Sequence, residues 1–154
     1  IQLKPHSLTY SNRGNVYVDL GNYQQAINDY DKAIELNSQF AMAYFNRGNA
    51  YADLGNFRQA INDYSKVIEI SPQDADTYIN RGTIYEKLGS YQQAINDYNK
   101  AIELNPQSAL AFYNRGNAYS KLKNNQKAID DFKAAAKLGE KNSQNFLKSQ
   151  GISW

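Results

Sequence analysis

The chain has 154 residues, 42% of them hydrophobic, with 17 basic and 15 acidic side chains and no cysteine. That is enough for one domain with a continuous core, while disulfide and thiol chemistry are excluded, and no stretch reaches the roughly 18 apolar residues that a membrane span requires. The net charge of +2 is uneven, because residues 1–120 hold ten basic and twelve acidic side chains and residues 121–154 hold seven and three; even so, the basic end is too scattered to make a nucleic-acid stripe.

Taken in order, Ile1-Gln2-Leu3-Lys4-Pro5 matches Ile102-Glu103-Leu104-Asn105-Pro106. Residues 1–6 are therefore expected to be the remnant of a preceding repeat. With no initiator Met and no signal-peptide pattern, the chain reads as a piece of a longer protein cut within a repeat. From there the triplet Asn-Arg-Gly returns at Asn12–Gly14, Asn46–Gly48, Asn80–Gly82 and Asn114–Gly116, at a constant spacing of 34 residues. A fixed period of this size means stacked small units, here residues 7–40, 41–74, 75–108 and 109–142 in one continuous domain.

Each unit reads as two antiparallel helices. In the first, helix A is expected over Leu8–Leu20 and helix B over Tyr23–Leu36, with Gly21 supplying the left-handed end between them. Asn22 with Gln25, and Ser90 with Gln93, have the spacing of a cap for helix B. Gly14 and Ala26 keep the facing surfaces of the two helices small. The fourth unit has Lys123 where a glycine is expected, and Asn124 or Asn125 is predicted to take up the turn. A last helix over Lys141–Gln150 carries Phe146 and Leu147 as its large apolar side chains. That suits a cap, so residues 143–154 are read as capping helix and tail, with the apolar Gly151–Trp154 folding back on it.

The small, aromatic and proline positions recur in register. Tyr10, Tyr44, Tyr78 and Phe112 are followed by Gly14, Gly48, Gly82 and Gly116, then by Tyr17, Tyr51, Tyr85 and Tyr119. Ala26, Ala60, Ala94 and Ala128 precede Tyr30, Tyr64, Tyr98 and Phe132, and Pro72 and Pro106 close two units. This pattern resembles the tetratricopeptide repeat over about residues 7–142. The resemblance implies an all-α fold, a right-handed α-solenoid of helix-turn-helix repeats, and a function in protein–protein interaction.

No catalytic set is present in the sequence: His6 is the one histidine, and there is neither a pair of carboxylates in an apolar setting nor a Gly-rich phosphate loop. No enzyme activity, cofactor or metal is expected. In the family, positions two, five, six, nine, twelve and thirteen of each unit line the concave face. Position six is Asn12, Asn46, Asn80 and Asn114, and position nine is Asn15, Asn49, Thr83 and Asn117. Three residues apart on a helix is one face, and a carboxamide both donates and accepts, so it can hold the backbone of an extended peptide whatever that peptide's sequence. The row resembles the asparagine ladder of the O-linked N-acetylglucosamine transferase and related arrays. Between the asparagines, Met42, Phe45, Ile79, Leu110 and Tyr113 are expected to form apolar pockets.

Asp19, Asp53 and Asp76 lie towards one end and Lys87 and Lys121 towards the other, which predicts a partner segment of mixed charge. A clamp for a free C-terminal carboxylate, known in the family, needs three cations at places that hold Ser11, Asp76 and Asn80 here, so it is rejected although Asn15 and Asn46 match. The constant pairs Arg13/Asp29, Arg47/Asp63, Arg81/Asp97 and Arg115/Asp131 read as links between helices A and B or between adjacent units. The expected function is a module that holds an extended peptide of a protein partner. Its rival is a structural spacer, or an assembly module that self-associates through an uncapped N-terminal face.

Overall fold

The computed structural model describes residues 6–154, so of the expected remnant of an earlier unit, residues 1–6, all but His6 lies outside the described residues. Among the described residues lie nine α-helices: α1 (Ser7–Asp19), α2 (Tyr23–Leu36), α3 (Ala41–Asp53), α4 (Phe57–Ile70), α5 (Ala75–Lys87), α6 (Tyr91–Leu104), α7 (Ala109–Lys121), α8 (Asn125–Lys137) and α9 (Lys141–Ser149). They fall into two compact units that divide between Pro72 and Gln73. In the first unit α1 packs along α2, α2 on α3 and α3 along α4; in the second the same succession runs from α5 to α9.

The helices pair because each B helix carries a narrow apolar stripe. In α2, Ala26, Ile27, Tyr30 and Ala33 are buried while Gln24, Gln25 and Asn28 face water, the spacing of a single helical face. The Tyr30 ring packs directly against Gly14. A methyl group at Gly48 would come within 2.9 Å of Cε1 of Tyr64, its counterpart in the next repeat. The glycine in each A helix is thus the seat for the B-helix ring. Tyr17, Val18, Tyr23 and Tyr51 close around Ala26, Ile27, Tyr30 and Ala50 in the first unit. In the second, Tyr113, Tyr119, Ile129 and Ile152 close around Ala128, Phe132, Ala136 and Leu147.

The turn from α1 to α2 ends the helix with two backbone bonds, Gly21 N–H to Val18 C=O and Asn22 N–H to Tyr17 C=O, both 2.8 Å. Gly21 takes φ +74° to make them, a conformation that is easy for glycine and costly for other residues. In the fourth repeat Lys123 itself adopts φ 59°; neither Asn124 nor Asn125 takes the turn instead, because the register of the two backbone bonds puts the left-handed residue at the glycine's place. Lys123 N–H donates to Ser120 and Asn124 N–H to Tyr119, as in the other repeats.

The expected side-chain caps open only some of the B helices. Asn22 and Ser90 make no side-chain cap bond. Each of these residues already closes the preceding turn through its N–H, and the carbonyl of Asn22 accepts from Gln25 and Ala26 at 3.1 Å, so the backbone does what the side chain was expected to do. Asn124 does cap α8, accepting from Lys127 N–H. Side chains also cap α5 through Asp74, α7 through Ser108 and α9 through Glu140.

The repeated Arg–Asp pairs tie A to B. Arg47 grips Asp63 with Nε at 2.8 Å and Nη2 at 2.6 Å, and its Nη1 reaches Asp31 on α2 at 2.5 Å. Arg115 does the same to Asp131 and reaches Asn99 on α6 at 2.7 Å. The named pairs therefore link helix A to helix B within a repeat, and the ties to the preceding repeat run through Asp31 and Asn99, which the sequence reading did not single out. The aspartates are buried and the guanidiniums lie over aromatic rings, Arg47 at 5.5 Å from the Tyr44 centroid. Lys141–Ser149 closes the second unit by burying Leu147, and Ile152 folds back with its N–H on Leu147 C=O at 2.9 Å. Trp154 remains exposed.

Candidate functional site

The asparagines at positions six and nine stand on one face of the A helices, and each unit brings two of these helices together, α1 with α3 and α5 with α7. In the first unit, Asn15, Val18, Asp19, Tyr30, Asn46 and Asn49 line a cleft of about 170 Å³. Hydrogen bonds join the residues that line it. Asn15 Oδ1 accepts from the Tyr30 hydroxyl at 2.7 Å and from Asn46 Nδ2 at 2.9 Å. Asn49 Oδ1 accepts from the Tyr64 hydroxyl at 2.7 Å. Burial, then the charges of Asp19 and Asp29, push the Tyr30 phenol up to about 12, so it keeps its proton and remains a donor at neutral pH.

In the second unit the equivalent cleft has a volume of about 350 Å³ and is lined by Thr83, Glu86, Lys87, Tyr91, Asn114, Asn117 and Lys121. Thr83 turns its hydroxyl to the Ile79 carbonyl at 2.9 Å, with the Tyr98 hydroxyl at 3.4 Å. Tyr98 donates to Glu86 at 3.1 Å. Burial pushes the Glu86 carboxyl up, opposed by the Tyr98 bond and by the nearby Lys121. Asn12, Asn80, Asn114 and Asn117 make no side-chain hydrogen bond among the described residues.

Position five does not behave as one class. Ser11 and Ile79 are buried, Ile79 at 5% exposure, so Ile79 belongs to the core and not to an open pocket: at this register the helix turns the side chain towards its own B helix, and an aliphatic group fits there entirely. Phe45 and Tyr113 are too large to disappear and stay half-buried, against Tyr64 at 5.9 Å and Phe132 at 6.0 Å between ring centroids. Met42 and Leu110 are 60% and 53% exposed. Glu86 and Tyr91 were not singled out as site residues from the sequence. Glu86 could have been found from its place at position twelve; Tyr91 enters from the start of a B helix, and nothing in the repeat pattern marks it. Among the described residues no group of His, Asp or Glu is gathered to hold a metal ion, and no helix is long and apolar enough to cross a membrane.

Among curated proteins no sequence matches this chain. Among solved structures, the crystal structure of MamA superposes with a TM-score of 0.84 at 28% identity, covering 90% of this chain and 81% of that one. The Arabidopsis OM64 TPR domain gives 0.70 at 32% identity, covering 74% of this chain and 94% of that domain. MamA 41-end from Desulfovibrio magneticus RS-1, at 22% identity, 86% and 75% coverage and a TM-score of 0.80, shares the fold. Proteins built on this all-α solenoid are typically non-catalytic interaction scaffolds. The family model described as TPR repeat matches residues 14–55, 48–89 and 82–123, and that described as Tetratricopeptide repeat matches 109–142; together with the helix pairs and their glycine seats, this shows that the chain belongs to the tetratricopeptide-repeat family.

Proposed function

We propose that the chain is a protein-interaction module that holds an extended peptide segment of a partner along the A-helix faces of its repeats. The observation that carries this reading is the state of the position-six asparagines. Of the four, Asn46 is held by Asn15, and other recurring polar residues are spent inside the fold: the arginines on buried aspartates, Asn15 and Asn49 on tyrosine hydroxyls. Asn12, Asn80 and Asn114 repeat just as strictly yet hold no side-chain hydrogen bond among the described residues. A residue kept free at a fixed register offers its donor and acceptor to something outside the chain. Exposed Met42 and Leu110, and the half-buried rings of Phe45 and Tyr113, supply apolar surface beside them.

One such bond contributes only about 0.5–1.5 kcal/mol net, so several must act together. The test is binding to an unbiased peptide array by the wild type and by Asn46→Ala/Asn80→Ala/Asn114→Ala, with thermal melts of both. Selective loss in the folded variant is expected. Equal binding by the two, or none by either, would refute the reading in favour of a structural spacer.

A further inference from the structure

The two A-helix clefts differ because of two substitutions within the repeat pattern. Where the first unit has Asn15, the second has Thr83; where the earlier repeats have Tyr30, Tyr64 and Tyr98, the fourth has Phe132. Asn46 is held by Asn15, but its counterpart Asn114 faces Thr83, whose hydroxyl is turned to the Ile79 carbonyl. Asn49 is held by the Tyr64 hydroxyl, but at the place of that tyrosine the fourth repeat has Phe132, which has no hydroxyl to hold the counterpart Asn117. Each change releases one carboxamide, and both carboxamides line the same cleft, which has about 350 Å³ against 170 Å³ in the first unit.

Charge changes at the same place. Position thirteen is Asp19 and Asp53 in the first unit and Lys87 and Lys121 in the second. The second cleft is thus lined by two lysines where the first has Asp19, and its one carboxylate, Glu86, accepts from Tyr98 and lies near Lys121, beside the two amides that hold no side-chain bond. We propose that this α5/α7 cleft is the anchoring subsite of the chain and takes an Asp or Glu side chain from an extended internal segment of the partner. Lys121 neutralises the carboxylate and the carboxamides of Asn114 and Asn117 donate to it. Charge-assisted bonds to a carboxylate are about twice as strong as the neutral amide contacts elsewhere on the face. The inference rests on the peptide-binding reading and adds the chemistry of the residue recognised.

The test uses the 154-residue chain on an array of peptides with both ends blocked, beside a set without Asp or Glu whose C-termini are free. The wild type is expected to select peptides with Asp or Glu at one fixed register, and Lys121→Glu to lose that selection. Thr83→Asn and Phe132→Tyr install residues that other repeats carry at those places, so they are expected to fold, and each to weaken binding about two- to tenfold by re-occupying one carboxamide. Bound peptides without a carboxylate at a fixed register, or unchanged affinity in both variants, would overturn the proposal. So would tighter binding of peptides whose only carboxylate is a free C-terminus. If acidic selection is missing but the triple asparagine variant still loses binding, the anchoring subsite falls and peptide binding stands; no binding by the wild type overturns both.

Discussion

Replacing Arg47 by Met removes a charge while keeping an unbranched stem over Tyr44 and Tyr51. Three hydrogen bonds are lost, two to Asp63 and one to Asp31. Asp31 is partly exposed and water can take over its share. Asp63 is 4% exposed, and its carboxylate is left buried without a cation, which costs about 3–5 kcal/mol. The measurement is urea unfolding of wild type, Arg47→Met, Asp63→Leu and the double variant. Removing both charges spares the buried carboxylate, so the double variant should recover much of the loss, with a coupling of at least about 2 kcal/mol.

The pH dependence follows from the same burial. Burial raises the Asp63 pKa, and Arg47 opposes the rise; without Arg47 it climbs further. A carboxyl with a folded-state pKa above its unfolded value favours the fold at low pH and loses that contribution as pH rises through the folded value. The deficit of Arg47→Met should therefore be full at neutral pH and shrink on acidification towards the ordinary carboxylate range. A cost below about 1 kcal/mol, as for an exposed pair, would refute the reasoning.

Gly48→Ala should destabilise by about 1–3 kcal/mol in thermal or urea unfolding, because its methyl group meets the Tyr64 ring at 2.9 Å. Lys123→Gly should stabilise by roughly 1 kcal/mol by relieving a left-handed conformation at φ 59°; a lower melting temperature would be the contrary result. Tyr30→Phe removes the hydroxyl bound to Asn15 and should cost about 0.5–1.5 kcal/mol, whereas the fourth repeat, which already has Phe132, offers no equivalent bond to lose.

Much of the architecture could be read from residue order because it is punctuated locally. The expected helix A over Leu8–Leu20 is found over Ser7–Asp19, and helix B occupies Tyr23–Leu36. A turn glycine acts through its own φ, and a buried stripe through spacing along one helix, so both leave a mark in a short window of sequence. The Arg–Asp forks were legible for another reason: each side chain can be seen to repeat with its partner. The Asn22 cap was misread because the Gln25 amide it was expected to hold bonds to the Asn22 carbonyl, whereas in the fourth repeat the equivalent Lys127 amide bonds to the Asn124 side chain. Ile79 was misread because position five sits on the boundary between face and core, where the size of the side chain decides which it joins.

The period, the helix pairs and the family they imply follow from a pattern in which each unit repeats the same local instructions. Which asparagines are at liberty does not. Asn15, Asn49 and Asn117 are one letter at one register, yet two are tied to a tyrosine hydroxyl and the third is not. The difference lies 15 residues further along the chain, on the neighbouring helix, because a hydrogen bond depends on distance in space and not on the identity of either residue taken singly.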